Sequence, residues 1–127
     1  MSAESRPPKS GSPRHLRSGE KLLIARMVRG TPFEAKVLRD LVHALVDDRS
    51  DGGMGSIRFR AAGPGKRQFA RQIGEATFVD DDGIAVSATL NLDQHGELFE
   101  LDLWKVDNSK LRRYPARDAT SVVAPAR

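Results

Sequence analysis

Leu23, Ile24, Met27 and Val28 recur at helical spacing, with Ser18 placed to cap and Gly30 to stop, which predicts a helix from Ser18 to about Arg29. Thr31-Pro32-Phe33-Glu34 then puts a hydroxyl at an N-cap, proline at the first helical position and a carboxylate three residues on, the signature of a capping box. Phe33, Val37, Leu38, Leu41 and Leu45 share one face of the helix that follows, through about Leu45. Two helices joined by so short a turn are expected to pack as a hairpin. Residues 45–48 either end the second helix or begin a short strand. Beyond them the period changes to two. Ser56 to Arg60 alternates with Ile57 and Phe59 inward, Phe69 to Val79 reads as a less regular strand with a bulge at Gly74, and Ile84 to Leu92 alternates cleanly. Leu98 to Val106 is the last long strand, with Phe99, Leu101 and Leu103 on one side and Glu100, Asp102 and Trp104 on the other.

Asp81-Asp82-Gly83 and Asp93-Gln94-His95-Gly96 supply the tight turns. Connections this short join antiparallel neighbours, since a parallel crossover needs a dozen or more residues. The expected class is therefore α+β: an N-terminal helical hairpin packed on an antiparallel sheet of four or five strands. Residues 1–15 are rich in Ser, Pro, Gly and basic residues and are expected to be a disordered basic tail. Residues 16–115 are expected to form a single domain, with 116–127 frayed.

The chain of 127 residues has no cysteine, which excludes disulfides, thiolate metal sites and a cysteine nucleophile. Its formal net charge is +4, but the charge is unevenly placed: residues 1–17 carry +3, 110–127 carry +4 and 18–109 carry −3. Within 71–109 the balance is −7. The basic character belongs to the ends, so nucleic-acid binding is expected only weakly, through the tails and without sequence preference. No apolar run is long enough to span a membrane and Met1 to Pro13 lacks a signal-like apolar core, so the expected compartment is the cytoplasm with no membrane partner.

Candidate chemistry is sparse. The loop Asp51-Gly52-Gly53-Met54-Gly55-Ser56 resembles a phosphate cradle only in composition. Its glycines precede a strand rather than a helix, and no lysine follows, so Asp51, Gly52, Gly53 and Gly55 are read as a structural backbone reversal. Glu100 and Asp102 share a strand face with Trp104, their Cα atoms roughly 7 Å apart. That face is a candidate recognition surface, with Trp104 as anchor and Asp107 beyond it; the plainer reading is a solvated sheet face. His15, His43 and His95 make no ligand pattern by spacing, and Asp80-Asp81-Asp82 lacks the spaced oxygens of a calcium loop, so neither metal nor cofactor is expected.

At DGGMGS, residues 51–56, and FELDLWKVD, residues 99–107, the chain resembles a small bacterial family of unknown function that pairs such a loop with a late ELDLWKVD strand. The likeness runs over about residues 16–111, and Asn108 and Lys110 depart from it where an aromatic residue and a proline are expected. The resemblance implies no activity, ligand or catalytic residue. The leading functional expectation is a non-enzymatic protein-binding module, in one version an immunity-type protein whose acidic face docks a basic protein. The alternatives are a nucleic-acid-associated protein using basic tails and a small enzyme using Glu100, Asp102 and Asp107.

Overall fold

The computed structural model describes residues 13–61 and 63–115. The expected tails at 1–12 and 116–127 lie outside the described residues. Two helices, α1 (Ser18–Val28) and α2 (Glu34–Leu41), accompany six strands: β1 (Arg14–His15), β2 (Leu45–Asp48), β3 (Ile57–Phe59), β4 (Phe69–Val79), β5 (Ala85–Asp93) and β6 (Leu98–Lys105). The strands form one antiparallel sheet in the order β1-β2-β3-β6-β5-β4. The class is α+β with N-terminal helices, and the sheet is larger than the four or five strands expected. The difference lies at one edge. Residues 45–48 resolve to a strand because Val46 is fully buried and pairs with Phe59. Arg14 and His15, expected in the tail, pair with Val46 and Leu45 and move the start of order ahead of Leu16.

Helix α1 is capped differently from expectation. Arg17, not Ser18, takes the N-cap position, and the Glu20 side chain accepts a 2.8 Å hydrogen bond from its backbone N–H. Glu20 is itself buried, because both its oxygens also receive Arg14. The next helix also starts later than expected: Phe33, not Thr31, takes the N-cap position, so Pro32 precedes the helix. Thr31 closes the turn before it, its Oγ1 accepting from the Phe33 N–H at 3.2 Å while donating to the Val28 carbonyl at 2.7 Å. Glu34 reaches back to the Gly30 N–H, one residue earlier than the expected box. Helix α2 then ends at Leu41 rather than Leu45.

The core joins Leu23, Ile24, Met27 and Val28 of α1 and Val37 and Leu41 of α2 to the inward residues of the sheet. The register of β4 against β5 shifts between Gln72 and Gly74, as the bulge reading requires. A Cβ at Gly74 would stand 3.2 Å from Met27 Cβ, so glycine there lets α1 lie against β4. Phe99 departs from the expected alternation. A second shift, where Asn91 pairs with Glu100 but Leu92 with Leu98, leaves it as the extra residue of a bulge. Leu98 joins the core in its stead, and Phe99 is buried beneath two guanidinium groups, Arg58 at 4.3 Å and Arg67 at 5.3 Å from the ring centre.

Candidate functional site

With both helices on one side, the other face of the sheet is left open. Strand pairing arranges its side chains in rows: Thr77, Ser87 and Trp104; Glu75, Thr89 and Asp102; Gln72, Asn91, Glu100, Arg58 and Asp47. Trp104 is 51% exposed and flanked by small residues. Its indole N–H donates to Asn108 Oδ1 at 2.9 Å. Asn108 sits at φ +62°, a left-handed conformation that asparagine tolerates better than the aromatic residue expected at this position. Val79 and Val106 are also about half exposed, and Ala85 lies between them, since Val79 pairs with Ala85 and the Val106 N–H donates to the Ala85 carbonyl. Trp104, Val79, Ala85 and Val106 thus form one apolar corner of an otherwise polar face.

The carboxylates are less uniform than the spacing implied. Glu100 is mostly covered and its Oε1 accepts from both Arg49 and Arg58, so its charge is neutralised within the fold. Asp102 is exposed and accepts one bond from Ser56 Oγ at 3.1 Å. Asp107 sits in the turn after β6 and accepts from Ser109 backbone and hydroxyl, which hold its carboxyl below the usual range. Trp104 and Asp102 therefore share an accessible face, whereas Glu100 is a structural ion pair.

The glycine loop has an internal task. Asp51 accepts from the Met54 and Ser56 N–H groups, each at 3.0 Å, closing the reversal. Gly53 O receives the Leu111 N–H and Gly55 O the Tyr114 hydroxyl. A Cβ at Gly53 would meet Lys110 at 2.9 Å and one at Gly55 would meet Leu111 at 2.9 Å. The loop is the dock for residues 110–114. Lys105, fully buried, completes this clasp by donating to Asp80 at 2.8 Å, Asp82 at 2.6 Å and the Lys110 carbonyl at 3.0 Å. Asp80 to Asp82 form the turn their sequence predicts, but nothing in the local spacing signals the lysine that reaches it from 23 positions away.

A groove of about 780 Å³ lies where the end of α2, the end of β3 and the β5–β6 hairpin meet. Arg67 ties its walls together: its guanidinium donates to Asp93 at 2.7 Å, to the Phe59 carbonyl at 2.6 Å and to the Leu98 carbonyl. Burial alone pushes the Asp93 carboxyl up, but the Arg67 bond and backbone N–H groups of Glu97 and His95 outweigh it and hold it below its usual range. The fold brings His43 and His95, unrelated by spacing, to this one groove.

No group of His, Asp and Glu among the described residues is placed to hold a metal ion, and no helix among them is long and apolar enough to cross a membrane. Fold and faces define a small α+β protein whose sheet is covered on one side and open on the other. A family model for a domain of unknown function, DUF6984, matches residues 13–115, and the chain belongs to that family. No curated protein and no solved structure matches it.

Proposed function

We propose that this protein is a non-enzymatic protein-binding module whose recognition surface is the open sheet face around Trp104. The observation that carries the reading is the apolar corner itself: a half-exposed tryptophan, oriented by Asn108 and continuous with Val79, Ala85 and Val106. Tryptophans held in this way are common anchors of binding energy. Asp102 and Asp107 flank the corner with carboxylates that form no ion pair with a lysine or arginine among the described residues, so the partner that fits is a protein presenting an apolar side chain among basic ones, as in an immunity-type pair. Glu100 is not part of the steering charge, since Arg49 and Arg58 occupy it.

The test compares wild type and Trp104→Ala as baits in the native host. A basic protein held by wild type and by Val42→Ala, an exposed residue elsewhere, should be lost by Trp104→Ala, with an affinity cost of about 2 kcal/mol or more. Stability should change far less than the about 3–5 kcal/mol of an emptied core site. Free protein should show red-shifted, iodide-quenchable tryptophan emission. A partner retained by Trp104→Ala, or protected blue-shifted emission, would sink the proposal.

A further inference from the structure

We infer that the groove between the end of α2 and the β5–β6 hairpin binds a small amphipathic anion, an apolar body carrying one carboxylate or similar oxyanion. Two independent features carry this. The walls are largely apolar, with Leu45, Phe59, Pro64 and Leu98 among them, and the volume of about 780 Å³ lies in the range of small-ligand sites. The charges are unevenly satisfied. The groove's acids are all engaged: Asp40 and Glu97 accept from Lys36, and Asp93 from Arg67. Among its bases, Arg67 is held by Asp93 and Arg60 by Asp47. The side chains of Arg39, His43 and His95 make no hydrogen bond or ion pair among the described residues.

Among the described residues, the one charge in the groove left without a counter-charge is therefore the Arg39 guanidinium, with two imidazoles beside it. A cationic ligand would have to displace Lys36 or Arg67 from its carboxylate. A neutral ligand would fill the apolar part and leave the Arg39 fork unused. An anion with an apolar body uses both, and a guanidinium receives a carboxylate through paired N–H bonds. The site is also built before any ligand arrives, because Arg67, nearly buried, fixes the ends of β3 and β6 through two carbonyls.

The test uses the full chain and anilinonaphthalene sulfonate, an apolar anion whose emission rises on binding, with decanoate and decanol as competitors. Saturable binding is expected. Decanoate should displace the probe at least about tenfold more effectively than decanol, the worth of roughly one charge-assisted bond. The double substitution Arg39→Gln with His95→Gln should weaken decanoate about tenfold and abolish its advantage over decanol. Ala61→Trp, which adds bulk to the groove wall and removes no charge, should weaken both competitors and serves if the double variant fails to fold. Trp104→Ala should bind the probe as wild type does, which separates this site from the sheet face. Equal displacement by decanoate and decanol would overturn the inference. So would unchanged decanoate binding in the charge and bulk variants, probe binding lost with Trp104→Ala, or no binding to wild type.

Discussion

Lys105 and Asp80 show how a charge is kept at a site with no access to water. Both side chains are fully buried, at the end of a sheet face otherwise lined by apolar side chains such as Leu101, Leu103, Phe78 and Val86. Burial raises the Asp80 carboxyl by itself, but the Arg112 N–H and the Lys105 ammonium bring it below its usual range. Burial likewise opposes the Lys105 ammonium, and Asp80 and Asp82 reverse that and raise it. Asp48, paired with Arg14, is lowered in the same way. The signs fix the pH profile. Carboxyls lowered on folding stabilise the protein above the ordinary carboxylate range, and that contribution is lost as pH falls through their lowered folded values; the raised Lys105 contributes until pH climbs past its own raised value. The urea midpoint should therefore be nearly flat from about pH 5 to 8 and drop below about pH 4. Asp80→Asn strips Lys105 of one partner and should cost about 3 kcal/mol at neutral pH while weakening the acid dependence. An unchanged midpoint for Asp80→Asn would show that the clasp does not hold the fold.

At the level of elements, local signals mark where each helix begins but miss its capping residue: Arg17 stands at the N-cap in place of Ser18, and Phe33 in place of Thr31. Thr31 instead braces the turn into α2 through its bonds to the Phe33 N–H and the Val28 carbonyl, and Thr31→Ala should cost about 1 kcal/mol in a denaturant titration. A midpoint within error of wild type would show that Thr31 does not hold this turn. Residues 45–48 were undecidable because Leu45 continues the helical face while Leu45-Val46 also suits a strand; pairing with Phe59 and with Arg14 settled it. Phe99 misled for a related reason. Alternation from Leu103 and Leu101 extends to it on paper, but the bulge against Leu92 changes the phase, and Arg58 and Arg67 supply its cover.

Across the whole molecule, the two ends of the described chain are tied to the same region. Arg14 reaches Glu20 and Asp48, and Tyr114 reaches Gly55 while packing where a Cβ at Gly19 would stand 2.8 Å away. The apolar periodicity, taken alone, favours cutting at 18 and 111. The ion pairs and the tyrosine argue for 13 and 115, because the shorter span leaves Glu20 buried without Arg14. Residues 13–115 should melt in one cooperative transition close to that of the full chain, and residues 18–111 should melt lower and more broadly. Equal melts for the two spans would make both terminal ties dispensable.

Periodicity and turn chemistry alone settle the α+β class, the two N-terminal helices, the tight turns at Asp81 to Gly83 and Asp93 to Gly96, and the shared face of Asp102 and Trp104. Each follows from interactions within a few residues or from strict alternation along one strand. The sixth strand, the burial of Glu20 and Lys105, the neutralisation of Glu100 and the meeting of His43 with His95 come from the fold. Glu20 is met by Arg14, six positions back in a segment whose composition reads as tail. The others depend on partners tens of positions apart, which local spacing cannot register. A charge is read from sequence as solvated unless its counter-charge is in view, and here the counter-charges arrive through sheet register and chain reversal.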